Sequence, residues 1–283
     1  MLINVNAQCS IDWLSVTSKH GRGTLSPRSI LGKFEEKHGR FGYKNLYCYE
    51  SGVEHLWSPD REGTHIIYNG STLKTIAPLY TIQGLVQFHV DMGHRVSRID
   101  TAVDIFDSQV KPKEFAKEWS KGNVKTHAKA GLFISDPQGV NGDTFYVGSM
   151  KRRRKLFRVY DKGREQKVDR DWLRIEMQWG QGAAVNASKQ IANSSDLGAT
   201  IKGQIRGFVE FRHRLFQDII CAHSSLKVNH NIPVGVPARL KWLYESVLPA
   251  LVKQEQETPG IAQLLADLVS EDIKRKKRDM RTV

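Results

Sequence analysis

Cysteine, acidic residues and long apolar runs are all scarce in this chain. Its 283 residues include three cysteines, Cys9, Cys48 and Cys221, an odd number with no C-x-x-C pair. This pattern excludes a disulfide framework, offers no cysteine pair for zinc, and fits a reducing cytoplasm. No segment approaches the ~20 apolar residues that a bilayer requires, and the first residues do not resemble an export signal. We therefore expect a cytoplasmic protein without membrane segments.

The charge balance is strongly basic. The chain has 43 Lys+Arg against 30 Asp+Glu, a formal net charge of +13. A surplus of this size attracts polyanions through long-range Coulomb forces and counterion release. Nucleic acid is therefore the first partner to consider, although an ordinary basic surface would give the same composition.

Strand patterns dominate the first two thirds of the chain. Aromatic, β-branched or alternating segments predict strands at 11–17, in three stretches between 42 and 68, and at 97–106, 143–148, 156–161 and 172–178. Ser26-Pro27 and Gly39 bracket a predicted helix, further helices are predicted near 73–92 and 112–122, and 181–200 predicts a loop or weak helix. The order indicates an α+β fold, with a mainly antiparallel central sheet and helices on one face.

The main domain is expected to end near residue 230. Beyond it, apolar residues at helical spacing over 240–251 and 261–268 predict two helices, and the basic block 274–278 follows them. We therefore divide the chain into a domain at 1–230 and a small C-terminal helical region with a basic tail at 231–283.

Three predicted strands each separate an apolar side from a charged side. Neighbouring side chains in a strand point to opposite faces, so in RIDTAVDIF the two aspartates oppose Ile99, Val103 and Ile105. The segments LFRVYDK and WLRIEMQ divide in the same way. The charged side would carry Asp100, Asp104, Arg158, Tyr160, Lys162, Arg174, Glu176 and Gln178.

If these strands share one sheet, the charged groups converge. Gathered carboxylates repel each other unless a cation lies among them, and an oxygen-only donor set favours Mg²⁺ or Mn²⁺. A tyrosine beside a metal-bound phosphate and cations could attack as a phenolate and leave a phosphotyrosine. The alternative is a solvated polar face whose charges pair in ladders, as one-sided antiparallel sheets commonly have.

A run of five cations precedes the strand of Tyr160. This KRRRK segment comprises Lys151, Arg152, Arg153, Arg154 and Lys155. In a loop it could hold the DNA backbone beside a scissile phosphate, or it could simply be solvated.

Together these segments resemble the replication initiation factor (Rep_trans) family, which includes staphylococcal-type rolling-circle plasmid initiators, some filamentous-phage initiators and certain relaxases. The resemblance rests on IDWLSVT, GTHIIYNGSTL, RIDTAVD, DTFYVGSMKRRRKLFRVYDKGRE and WLRIEMQ, which occur in family order over roughly residues 10–215. One departure is Asn69-Gly70, where many relatives have Ser-Gly. The resemblance implies that residues 1–230 form a nicking and strand-transfer domain.

The resemblance also implies roles for individual residues. Tyr160 corresponds to the nicking nucleophile, with Arg158 and Lys162 beside it. Asp100, Asp104 and Glu176 correspond to acidic positions that bind Mg²⁺ or Mn²⁺, and Arg174 and the KRRRK segment are expected to contact DNA. The expected partners are origin DNA, a host helicase and polymerase in a bacterial cytoplasm, and a second copy of the chain on DNA.

Three other functions remain open on the sequence. A relaxase would nick a transfer origin by the same chemistry. A metal-free tyrosine recombinase is suggested by Arg212-His213-Arg214, but it would leave the strand carboxylates without a role. A non-catalytic regulator that binds the origin would form no covalent adduct with DNA.

Overall fold

A computed structural model describes most of the chain, namely residues 6–18, 26–27, 30–136, 142–151, 154–229 and 248–261 with positions 263, 264, 267 and 270. The chain divides into two compact units, Met1–Ile232 and Pro233–Val283. No described helix combines the length and apolar character needed to cross a bilayer.

The first unit contains twelve described strands. They are β1 (Asn6–Ser18), β2 (Phe34–His38), β3 (Asn45–Tyr49), β4 (Glu54–Ser58), β5 (Arg61–Tyr68), β6 (Arg95–Phe106), β7 (Val124–Thr126), β8 (Gly131–Ile134), β9 (Thr144–Gly148), β10 (Lys155–Asp161), β11 (Trp172–Gly180) and β12 (Val209–Phe211).

Helices separate several of these strands. They are α1 (Gly70–Ile76), α2 (Ile82–Asp91), α3 (Pro112–Ser120), α4 (Lys162–Glu165), α5 (Gly182–Ala192), α6 (Leu197–Phe208) and α7 (Arg214–Phe216), and a π-helix follows at Gln217–Cys221. In the second unit, α8 spans Leu248–Glu257 and overlaps only the end of the helix predicted over 240–251. Residues 240–247 and the basic block 274–278 lie outside the described residues.

Ten strands form one antiparallel sheet. Their order is β2-β3-β4-β5-β1-β6-β11-β10-β9-β8, and β12 pairs with β7 in a separate two-stranded sheet. The three strands with divided polarity, β6, β11 and β10, are therefore direct neighbours. The predicted α+β class with an antiparallel sheet is confirmed.

The core lies between one face of this sheet and helices α2, α3, α5 and α6. Ile99, Val103 and Ile105 of β6 point into it, as do Phe157 and Val159 of β10. Burial of these apolar side chains is the main favourable term in folding and fixes the strand register, since a one-residue slip would turn them to the opposite face.

A chain of polar groups is buried in the β4, β5 and α2 region. Hydrogen bonds link His94 Nδ1 to His89 Nδ1 (2.8 Å), His89 Nε2 to the Tyr68 hydroxyl (2.9 Å), and that hydroxyl to Ser26 (2.5 Å). Ser26 also bonds His55 Nε2 at 3.2 Å. Burial lowers the pKa of His55 to about 4 and that of His89 to about 3, with the neighbouring histidines adding to the second shift.

One local prediction was wrong and another was only partly right. The helix expected between Ser26-Pro27 and Gly39 is not formed over 34–38, where β2 pairs with β3 at the edge of the sheet. The segment 181–200, expected as a loop or weak helix, contains α5 and the start of α6. The small residues of α5 lie close to β6 and β11, so packing rather than intrinsic propensity stabilises this helix.

Candidate active site

The sheet register brings the predicted site residues together on the face opposite the core. Tyr160 of β10 lies across from Arg174 of β11, and Arg158 lies across from Glu176. Glu176 in turn lies across from Ala102 of β6.

Tyr160 is buried beside an acid and several cations. Tyr160 is only 6% exposed, and its hydroxyl donates a hydrogen bond to Glu176 Oε2 at 3.0 Å. Arg158 pairs with the other Glu176 oxygen and lies 5.0 Å from the tyrosine ring centroid, and Lys162 Nζ lies 5.5 Å from that centroid. Burial and the charge of Glu176 raise the pKa of Tyr160 above its ordinary value, while Arg174 and Arg158 oppose the rise.

Asp100 and Glu176 form a buried acidic pair. Asp100 is 2% exposed and accepts hydrogen bonds from Arg98 Nε at 2.9 and 3.1 Å. Burial raises the pKa of Asp100 to about 6, against the stabilising hydrogen bond from Arg98, and the charge of Glu176 contributes to the rise. The two carboxylates therefore repel each other in a site that little solvent reaches.

This acidic pair fits a hard divalent cation. Mg²⁺ is commonly held by one or two carboxylates together with waters and a substrate phosphate, and Asp100 and Glu176 supply such a pair. Across the described residues, no three His, Cys, Asp or Glu side chains are grouped to hold a metal on their own. The pair would therefore depend on water and phosphate for the remaining ligands.

Asp104, the third predicted ligand, has other partners. It accepts two hydrogen bonds from Arg174, from Nε at 2.7 Å and from Nη2 at 2.8 Å, and a third from Trp172 Nε1 at 2.5 Å. Arg174 Nη1 also lies 3.0 Å from Asp12 Oδ1. Asp104 and Asp12 thus hold Arg174 beside Tyr160.

Asp12 and Arg98 are two site residues that were not predicted from the sequence. Strict alternation along β1 would place Asp12 on the core side with Leu14 and Val16. The register shifts between Ile11 and Trp13, however, and Asp12 reaches Arg174 on the other face. The alternating pattern contains no signal for this bulge. Arg98, by contrast, could have been found, because it shares the parity of Asp100 within β6.

Gly70 explains part of the GTHIIYNGSTL motif. A Cβ atom at this position would lie 2.9 Å from Asp12 Oδ1, so a larger residue would press on the carboxylate that holds Arg174. The preceding Asn69 caps α1, since its side chain accepts a hydrogen bond from the Thr72 amide at 3.0 Å. The Asn-Gly pair therefore begins the helix while allowing close approach to Asp12.

The KRRRK segment is divided in the structure. Lys151 and Arg154 are exposed, Arg152 and Arg153 lie outside the described residues, and Lys155 begins β10. Lys155 shares the parity of Phe157, and its ammonium group donates to the Val228 carbonyl. It therefore lies on the helix side of the sheet, away from Tyr160.

The fold and the site define a class of protein: an antiparallel α+β domain with a tyrosine, two acids and several arginines on the polar sheet face. Residues 94–219 match the family model described as replication initiation factor. The resemblance inferred from the sequence is thereby confirmed.

A solved structure supports the same fold. The rolling circle replication initiator protein from Geobacillus stearothermophilus has a TM-score of 0.64 and 21% sequence identity, over 80% of this chain and 100% of that one. No match was found among curated proteins.

Proposed function

We propose that this chain is a rolling-circle replication initiator that nicks one strand at an origin, with Tyr160 as the nucleophile. The observation that carries the proposal is the position of Tyr160, hydrogen-bonded to Glu176 and surrounded by Arg158, Lys162 and Arg174, within the segment that matches the replication initiation factor family. A tyrosine that only packed the sheet would not need three cations around it.

The reaction is an exchange of one phosphodiester for another. Tyr160 Oη forms a bond to phosphorus while the bond from phosphorus to O3′ breaks, leaving a 5′-phosphotyrosine and a free 3′ end. The phenolic proton passes to Glu176 Oε2, which already accepts its hydrogen bond, and O3′ takes a proton from water. Religation reverses these steps, because the bond energy is kept in the adduct.

Preorganised cations stabilise the transition state. Asp104 and Asp12 fix the position of Arg174, which would face the scissile phosphate. A charge that is already in place does not have to be reoriented when the transition state forms. Arg158 has a side chain 35% exposed, so it is the cation that an incoming phosphate meets first. Lys162, paired with Glu165, completes the set.

Asp100 and Glu176 are the residues that would hold Mg²⁺ or Mn²⁺, which when bound polarises the scissile phosphate. Without DNA, burial raises the pKa of Tyr160, so its hydroxyl stays protonated. Arg158 stays in its ion pair with Glu176. A phosphate that binds Arg158 would free one oxygen of Glu176. The site would thus become active only when its substrate is present.

The direct test compares two tyrosine variants on supercoiled origin DNA with Mg²⁺. Tyr160→Phe should give no nick and no denaturation-resistant protein–DNA adduct. Tyr146→Phe is the matched control, because Tyr146 lies on the neighbouring strand across from Arg158, and it should react normally. An adduct formed by Tyr160→Phe would show that another residue is the nucleophile.

The same test separates the alternatives. A non-catalytic origin-binding regulator would form no adduct even in the unmodified protein. A relaxase would form one, but the nick would map to a transfer origin rather than a replication origin. The proposed cellular setting is the cytoplasm of a bacterial host, where a helicase and a polymerase would extend from the free 3′-OH and two copies of the chain would bind the origin.

A further inference from the structure

A second basic site lies at the opposite end of β10 from Tyr160. It is a cavity of about 400 Å³. Its walls are formed by His127, Ala128, Lys129, Ala130, Gly148, Ser149, Arg154, Lys155, Gly207 and Phe208. Lys155 and Tyr160 are five positions apart, a distance of ~17 Å along a strand, and the two side chains point to opposite faces. The cavity is therefore separate from the reacting phosphate.

The charge of this cavity has one sign. It is lined by one arginine, two lysines and one histidine, and by no acidic residue. A larger cavity elsewhere, of about 920 Å³, is lined by four aspartates as well as four lysines and arginines. There Lys111 pairs with Asp171 at 2.9 Å and Arg170 with Asp107 at 3.1 Å. Among the residues that the structure describes, Lys129 and Arg154 have no ion pair. Their charge is available to an anion from outside.

Lys155 adds a partly buried cation to the same wall. Its ammonium group donates to the Val228 carbonyl, and burial lowers its pKa below the ordinary value. A nearby anion would favour its charged form, because an opposite charge offsets the loss of solvation.

The rest of the wall is suited to a flat apolar group. Ala128, Ala130 and Phe208 form it, and the two glycines contribute no side chain. Gly148 is required at its position, because φ is +115° and a Cβ atom would lie 2.6 Å from the Lys155 carbonyl oxygen. A volume of about 400 Å³ lies in the range of cavities that hold one small ligand.

We propose that this cavity binds one nucleotide of single-stranded DNA, with its phosphate at Lys129 and Arg154 and its base against Phe208. Cationic grooves with aromatic platforms are the usual means of binding single strands without sequence preference. The proposal rests on the proposed nicking function, which generates a single strand. It adds a separate binding point for that strand, away from the nick.

The test measures binding of a fluorescent thymidine decamer to the full-length protein in EDTA, where no nicking occurs. Lys129→Ala and Arg154→Ala should each weaken binding about 5- to 10-fold and reduce the slope of log K against log salt by about 0.7. Lys117→Ala, which removes an exposed lysine of α3, is the charge-matched control and should change affinity less than twofold.

Phe208→Leu tests the base contact while keeping an apolar side chain. We expect about tenfold weaker binding, since stacking on an aromatic ring contributes roughly 1–3 kcal/mol per base. The proposal is overturned if Lys117→Ala weakens binding as much as the two cavity variants, if Phe208→Leu binds normally, or if polyglutamate competes as well as the decamer at equal charge.

The result of this binding test does not depend on which residue is the nucleophile. If Tyr160→Phe still forms an adduct but the decamer result holds, the proposed nucleophile fails and the cavity proposal stands. If the cavity variants bind normally while Tyr160→Phe is inactive, only the cavity proposal fails.

Discussion

Lowering the pH from 7 to 5 should destabilise the main unit through its buried histidines. His55 and His89 have pKa values of about 4 and about 3 in the folded chain, against about 6.5 when unfolded. The unfolded chain therefore binds more protons, and stability is lost as the pH falls below about 6.5. At pH 5 each histidine contributes a loss of about 2 kcal/mol relative to pH 7, or about 4 kcal/mol together.

Asp100 acts in the opposite direction. Because its pKa in the fold is about 6, the folded chain takes up a proton there as the pH falls, which offsets about 1 kcal/mol. The net loss of about 3 kcal/mol is a large part of the total stability of a typical domain, about 5–15 kcal/mol.

Urea denaturation at pH 7, 6 and 5 measures this loss. His55→Gln keeps a hydrogen-bonding side chain without a titrating ring, so the loss between pH 7 and 5 should be smaller by about 2 kcal/mol. His127→Gln, at an exposed position, should leave the pH dependence unchanged. An identical pH profile for His55→Gln and the unmodified chain would refute the assignment of the acid sensitivity to this buried network.

Three further predictions concern the site. Asp12→Asn and Gly70→Ala should each lower the nicking rate at least ~10-fold, because Arg174 would be held less firmly. Single-turnover assays measure the rate, and gel-shift assays should show unchanged affinity for DNA. A loss of affinity without a loss of rate would contradict this role. Arg158→Ala should cost about 2 kcal/mol in chemical denaturation, because it leaves buried Glu176 unpaired. Adding Glu176→Gln should restore that stability but not nicking. Chelation should abolish adduct formation, and Mg²⁺ or Mn²⁺ should restore it; activity that is insensitive to EDTA would favour the metal-free recombinase.

Much of the site could be predicted because the relevant strands are regular. β6, β10 and β11 alternate without interruption, so parity alone places Asp100, Tyr160 and Glu176 on one face. The roles of Tyr160 as nucleophile and of the acids as metal ligands stay predictions, since their support comes from family resemblance and local geometry.

The features of the fold and the site that could not be predicted depend on contacts between segments that are distant in the sequence. The bulge that turns Asp12 toward Arg174 has no local signature, and the pairing of Asp104 with Arg174 depends on which strands are neighbours. The edge strand β2 was mistaken for a helix because Ser26-Pro27 is a good helix start, whereas pairing with β3 determines its conformation. The small residues of α5 gave only weak evidence for a helix in the sequence. Packing against the sheet makes the helix favourable at these positions.

The order of the strands has a consequence for synthesis of the protein. β1, which supplies Asp12, lies beside β6, while Arg174 comes from β11, more than half a chain later. Pairings between such distant segments form slowly, since a long loop must close first. A chain still emerging from the ribosome would therefore have Tyr160 exposed to solvent before Arg174 could be fixed beside it. Incomplete products would lack the assembled site, and the proposed nicking of DNA would require that β1 and β11 belong to the same sheet.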